Sequence, residues 1–258
     1  RPSPLGRLRE TASDVLAIAR RDLIRTARMP EQLVFAVMMG IFFLLLFYYV
    51  FGGIISAGTG VDYIAFLLPG VLVITAVNGA QQTGSGLALD LSTGVVDRFR
   101  SLPMSQLAVI AGRTLADTVR NTIGVVLVIA VGYLMGFRFD SLAGAIGMVV
   151  LVVGIGYAFS WVGEAIGARI RNAETVAMLS MFWLLPLMLA SSAFVPTAGM
   201  HELVQVFAEY QPVSVVSDAA RALATGTPAG GSIVGSVLWI AGLTLVCGWF
   251  AVRAYRRP

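Results

Sequence analysis

The sequence predicts an all-α membrane protein. It reads as six transmembrane helices, an N-terminal amphipathic interfacial helix, a cytoplasmic helix between spans two and three, and short outer helices between spans five and six. Three observations carry that reading. Of the 258 residues, 57% are hydrophobic and 12% charged, where soluble domains carry roughly 25% charged residues. Mean hydropathy is +0.84, and several runs approach or exceed the roughly 18 apolar residues that mark a membrane-spanning helix. The basic residues crowd into the segments between alternate pairs of spans.

The leading segment, 1–32, is basic and interfacial. Residues 10–28 (ETASDVLAIARRDLIRTAR) set Ala12, Val15, Leu16, Ala19, Leu23, Ile24 and Ala27 on one helical face. Glu10, Asp14, Arg21, Arg25 and Arg28 fall opposite, with Ile18 and Arg20 as exceptions. A basic amphipathic helix just before a span lies in the headgroup plane; a solvated cytoplasmic helix is the plainer alternative. The chain opens on Arg1 rather than Met, so native residues are expected to precede it.

The transmembrane domain is read as 33–252. Span one is 33–51 (LVFAVMMGIFFLLLFYYVF), long enough to cross the bilayer and followed by no A-x-A cleavage pattern, so it is not a signal peptide. Span two is 63–87, interrupted by Pro69 and by Asn78, Gln81 and Gln82; span three is 115–137 and span four 142–168. Span five is 174–195, with Pro186 inside it, and span six 233–252. Membrane helices tolerate such prolines where neighbours or water satisfy the freed carbonyls. Between spans five and six, residues 196–231 hold two short helix candidates, at 200–210 and 214–224, set to dip into the outer leaflet or to cap the bundle.

Orientation follows from arginine. With the N-terminus inside, 15 of the 18 basic residues fall in 1–32, 88–114, 169–173 and the tail 253–258. Arg120 lies a turn inside the inner end of span three, and only Arg138 and Arg221 fall outside. The positive-inside rule therefore places both termini in the cytoplasm.

All the basic residues are Arg. A phosphate-binding P-loop requires a lysine, so ATP hydrolysis is not expected from this chain. Cys247 and His201 stand alone, which removes intrachain disulfides, Cys- or His-based metal sites and most triad chemistry. No catalytic residue and no cofactor of this chain is expected. Neither is a nucleic-acid partner.

The stretch GVVDRFRSLPMSQLAVIAGR (94–113) interrupts the oil with charge. Read as a short helix from Gly94, it sets Val95, Phe99 and Leu102 on one face and Asp97, Arg100 and Ser101 on the other, with Arg98 beside them. Pro103 disfavours helix at Leu102 and turns the chain. An apolar ridge with charged flanks fits a groove on a partner protein. A surface helix with an arginine collar that fixes topology is the other reading, and the residues alone leave both open.

Polar groups inside a membrane are costly and raise functional hypotheses. Asn78, Gln81 and Ser85, with Gln82 beside them, form a stripe that fits a substrate path or interhelical hydrogen bonding. Asp117 and Arg120, three residues apart, are expected to pair as a structural ion pair. Glu164 lies near the inner end of span four, available to an ion pair or to proton coupling. Gly132–Gly136 and Gly163–Gly167 are small-xxx-small pairs that let helices approach closely.

GVVDRFRSLPMSQLAVIAGRTLAD (94–117) resembles the cytoplasmic loop of ABC-2 type transporter permeases, in particular the daunorubicin-resistance subgroup of drug and lipid exporters. SSAFVPTAGMHELVQVFAEYQPVSVVSDAARAL (191–223) is similar to that family's outer segment. The chain departs from the pattern at 91–93, where no acidic residue opens the loop. The resemblance implies that 94–103 is a coupling helix on a separate ATP-binding subunit, which supplies ATP and Mg. It also implies two permeases and two ATPases in a bacterial plasma membrane, exporting a drug, antibiotic or lipid. An ion-gradient-driven transporter or channel without an ATPase is the rival. It would want charges near the bilayer midplane, whereas Asp117 and Glu164 are read near the inner surface. A lipid-modifying enzyme would lack its nucleophile or metal cluster.

Overall fold

A computed structural model describes residues 4–28, 31–59, 62–94, 106–197 and 200–255. These form nine α-helices among the described residues: α1 (Pro4–Arg28), α2 (Glu31–Thr59), α3 (Tyr63–Ser92), α4 (Gln106–Leu134), α5 (Leu142–Ile170), α6 (Ala173–Leu189), α7 (Glu202–Tyr210), α8 (Pro212–Thr225) and α9 (Ser232–Tyr255). Five of them, α2, α3, α4, α5 and α9, are long and apolar enough to cross a membrane.

The expected fifth span is shorter than its sequence suggests. Helix α6 covers 17 residues, roughly 26 Å at 1.5 Å per residue, and the run from Ala190 to Val195 is not helical. Its last helical turn contains Pro186, whose carbonyl accepts from Ala190 N. Beyond that bond the chain turns, and residues 191–194 are bonded elsewhere. Spans two and three differ the other way: α3 runs on to Ser92 and α4 begins at Gln106, so the polar flanks of the 94–113 stretch continue their helices.

Helix α3 is the axis of the bundle. Of its apolar stretch 78% is buried, against 11% for α2 and 6% for α9. It packs against α2, α4, α5, α6 and α8. Its crossing with α5 is the closest: a Cβ on Gly84 would collide with the Gly163 carbonyl, and one on Gly167 with the Gly84 carbonyl. Gly163 and Gly167 thus do what a small-xxx-small pair does. The Gly132–Gly136 pair does not. Gly132 abuts the Leu68 side chain, but Gly136 sits past the end of α4 at φ 103° with open space around it. It is a helix terminator, since that dihedral favours glycine.

Helix α1 lies against α4, and the edge it buries there overlaps the predicted apolar face only in part. Ile18 and Ala19 are buried, while Leu16 and Ile24 are exposed. Ile18, the exception in the amphipathic pattern, is the residue that packs over Gly112 of α4. The helix has two apolar edges, one against α4 and one open.

Of the two short helices in the 196–231 segment, α8 caps the bundle. It buries Val213, Val216, Ala219 and Ala220 against α3, α5 and α9. Helix α7 touches chiefly α8 and leaves Leu203, Val206, Phe207 and Tyr210 exposed. The bundle therefore has two distinct ends. One carries the C-terminal end of α3, the start of α4 and the end of α5; the other carries α7 and α8.

Candidate functional site: a two-chamber path beside α3

The polar stripe of α3 faces two adjoining cavities. The first, about 360 Å³, lies at the α3–α4–α5 end and is lined by Gln81, Gln82, Ser85, Arg113, Asp117 and Arg120, with Asp22 of α1 at its edge. The second, about 530 Å³, runs toward the α7–α8 end between α2, α3 and α6. Its walls are Phe35, Met39 and Phe43 of α2, Met181 and Met188 of α6, and Phe194 beyond α6. Gln81, Gln82 and Ala177 border both.

Heptad-like spacing puts Asn78, Gln81 and Ser85 on one face of α3, and the cavities order them along it. Asn78 lines only the apolar chamber and Ser85 only the polar one. Gln81 stands at the waist, where its Nε2 donates to the Ala177 carbonyl of α6 at 2.9 Å. Asn78 Nδ2 reaches Met188 Sδ at 3.8 Å, a weak contact. The waist is thus made of amides that can exchange partners without leaving a charge behind.

The polar chamber is charged. Asp117 Oδ1 stands 2.7 Å from Arg120 Nη2. Arg113 Nη1 donates to Asp90 Oδ2 at 2.9 Å, joining the last turn of α3 to the second turn of α4. Fully buried Glu164 of α5 accepts from Thr114 Oγ1 at 3.0 Å. Asp22, Asp117 and Glu164 all lie within electrostatic reach of Arg113. In a medium where an isolated charge is expensive, one guanidinium serving several carboxylates is what makes the cluster tolerable. Among the described residues no group of three or more His, Cys, Asp or Glu is arranged to hold a metal.

Of the coupling-helix residues, only Gly94 is described. It follows the end of α3 at φ 71°. Val95, Asp97, Arg98, Phe99, Arg100, Leu102 and Pro103 lie outside the described residues.

The profile of the family described as ABC-2 type transporter matches residues 13–224. The chain belongs to the ABC-2 type transporter family. It is 37% identical over 238 residues, 92% of this chain and 83% of that protein, to the daunorubicin resistance ABC transporter permease protein DrrB1 of Streptomyces coeruleorubidus. It is 24% identical over 263 residues, 99% of this chain and 93% of that protein, to the probable doxorubicin resistance ABC transporter permease protein DrrC of Mycobacterium tuberculosis. A putative transport permease, ycf38 of Porphyra purpurea, is 24% identical over 227 residues, 84% of this chain and 76% of that protein. An ABC-2 permease is a multi-pass membrane subunit that is not itself the ATPase, and family membership implies an ATPase partner.

Several residues of this permease escaped the sequence reading. Asp90 lies beyond Leu87, where hydropathy ends span two; in the structure it is buried in α3. Asn121, midway along α4, donates to the Ala76 carbonyl of α3 at 2.9 Å, and as a lone amide it offered no pattern. At the other end, Gln211 of the QPVS motif is buried and donates to the Leu187 carbonyl at 3.1 Å. Its Oε1 accepts from Val213 N at 3.0 Å, capping α8.

Proposed function

We propose that this permease forms the membrane path of an ATP-driven exporter of an amphiphilic drug, antibiotic or lipid, with the cargo passing from the polar chamber through the amide waist into the apolar chamber. The observation that carries this reading is the pair of abutting cavities along one face of α3, one charged and one lined by Phe and Met. A molecule with a polar group and an apolar body matches both in sequence. The relatives named for daunorubicin and doxorubicin resistance support planar aromatic amphiphiles as the cargo class.

In this reading both termini and residues 94–103 face the cytoplasm of a bacterial cell, and α6 completes six spans in the bacterial plasma membrane. Two permeases, copies or relatives, assemble with two ATPases that bind ATP and Mg. Nucleotide binding draws the ATPases together, and the Val95–Phe99–Leu102 ridge conveys that movement to α3 and α4. The Asp90–Arg113 bond ties those two helices next to the insert, so a push there moves them as a unit.

The test is ATP-dependent uptake of doxorubicin by inverted vesicles containing the permease together with its ATPase. Uptake that needs both chains and ATP is expected; uptake by the permease alone would favour the ion-gradient rival. Phe99→Asp is expected to abolish permease-stimulated ATP hydrolysis while the permease remains folded in the membrane. Unchanged hydrolysis would remove the coupling role of the 94–103 segment.

A further inference from the structure

The apolar chamber has an end wall, and the wall is aromatic. Phe194 lies in the non-helical turn after α6 and is buried. Its ring stacks on Phe47 of α2 with centroids 4.1 Å apart and planes 8° from parallel. Phe43 lies 5.9 Å away, and Phe47 stacks in turn on Phe51 at 5.3 Å. The rings bridge α2 and the turn where the chamber would otherwise reach the α7–α8 end of the bundle.

The backbone that carries Phe194 is held from one side only. Tyr63 Oη donates to the Phe194 carbonyl at 2.9 Å. Arg221 of α8 uses all three of its nitrogens: Nη2 donates to the Ser192 carbonyl at 3.0 Å, Nε to the Phe66 carbonyl at 3.0 Å and Nη1 to Asp218 Oδ1 at 2.7 Å. Its guanidinium lies 3.7 Å from the centre of the Phe66 ring. The Ser192 amide also donates to the Ser214 hydroxyl at 3.0 Å, and its own hydroxyl donates to Asp218 at 2.8 Å. A Cβ on Gly70 would strike the Ala193 carbonyl, so the turn rests directly on the backbone of α3 beside Pro69. Every one of these ties runs to α3 or α8. The contacts with α2 are ring faces.

We propose that Phe194 is the seal between the apolar chamber and the α7–α8 side of the membrane, and that Arg221 is a positioning residue that holds the seal in place. The asymmetry gives the seal its working direction. Stacked rings separate without breaking a hydrogen bond, so α2 moves away from Phe194 while the turn stays clamped to α3 and α8. Cargo then leaves past a stationary ring rather than through a melted loop.

The proposal rests on the export reading only for which membrane face is the outer one, and the test separates the two. Thr75 lines the apolar chamber. Thr75→Cys in a Cys247→Ser permease, assembled with its ATPase and without nucleotide, is treated with a membrane-impermeant maleimide on each face of sealed vesicles. In the background with Phe194 intact, modification from the α7–α8 face is expected to be negligible. Phe194→Ala is expected to raise it about tenfold, as loss of a stacked, buried ring shifts a local opening equilibrium. Phe194→Leu, which keeps apolar bulk and folds more readily, is expected to fall between. Arg221→Ala should raise it like Phe194→Ala, with a Val152→Cys reporter in the core still unmodified and Arg221→Lys in part restoring the seal. No rise in the Phe194 variants, or equal modification with Phe194 intact, overturns the seal. A rise in Arg221→Ala shared by the Val152→Cys reporter overturns the positioning role. A seal whose rise comes from the cytoplasmic face leaves the seal standing and overturns the export orientation.

Discussion

The two ends of the bundle hold their helices by opposite means. At the α3–α4–α5 end, Arg113 and Arg120 pair with carboxylates on flexible stems. The second oxygens of Asp117 and Glu164 carry no protein hydrogen bond among the described residues. At the α7–α8 end, Arg221 spends its nitrogens on two backbone carbonyls and one carboxylate. A backbone carbonyl moves only with the chain segment that carries it. Burial pushes the Arg221 guanidinium below its ordinary value, and neighbouring Asp218 pulls it back up; it stays a cation throughout. The first arrangement can exchange partners as helices shift, while the second fixes one geometry. Under the proposed function that difference has a use: a compliant end where force enters, and a firm end where a turn must hold its shape.

The largest expected effect lies at the one rigid joint of the compliant end. Gly84→Val places branched carbon against the Gly163 backbone, where neither helix can yield. Overpacking costs of roughly 3 kcal/mol or more are expected at such a contact, and the variant should fail to accumulate in membranes or unfold at markedly lower temperature in detergent. Normal stability would show that α3 and α5 are free to part. That would break the picture of charges rearranging around a fixed crossing.

Next comes Arg113→Ala. Its side chain is 14% exposed, and removing the cation from a cluster of carboxylates should cost about 2–3 kcal/mol, below the full buried-pair penalty because some solvent reaches it, read as a loss of thermal stability. The sharper form is the exchange Asp90→Arg with Arg113→Asp. An isolated pair would recover on reversal. A network in which Arg113 also faces Asp22, Asp117 and Glu164 would not, because the exchange moves the cation off the centre of that group. Full recovery would make this end as specific as the other, erasing the contrast.

These groups also mark what the sequence could disclose. Hydropathy located every long apolar helix, because burying twenty residues in lipid leaves a signal in composition. It overran at α6, where Ala193, Phe194 and Val195 follow two serines while the chain turns at Ala190; an apolar residue in a turn packed on a bundle looks like one in a span. The stripe of Asn78, Gln81, Gln82 and Ser85 was readable as a possible path because polar side chains are rare there, but its chambers depend on α2 and α6. Asp117 and Arg120 share one helix face, so spacing alone suggested them. Asp90–Arg113 joins residues 23 apart, and Arg221–Phe66 residues 155 apart. Periodicity has no access to either. Ile18 shows the same limit in miniature: a helix with two apolar edges does not say which one meets its neighbour.

The smallest effect is expected at Phe207, on the face of α7 left exposed among the described residues. Leu203, Val206, Phe207 and Tyr210 share one side of a nine-residue helix; Phe207 is 48% exposed and Tyr210 72%. Of α7 only Ala208 is buried, and Trp239 Nε1 of α9 meets the Tyr210 carbonyl at 3.1 Å. Phe207→Ser therefore removes surface that folding did not cover, and thermal stability in detergent should change by no more than about 0.5 kcal/mol. Arg221→Lys, one helix away, keeps the charge but loses the fork that spans two carbonyls, and should cost more in the same assay. If instead Phe207→Ser proved the more damaging, α7 would be bearing against another subunit. The firm end would then owe part of its rigidity to assembly rather than to Arg221.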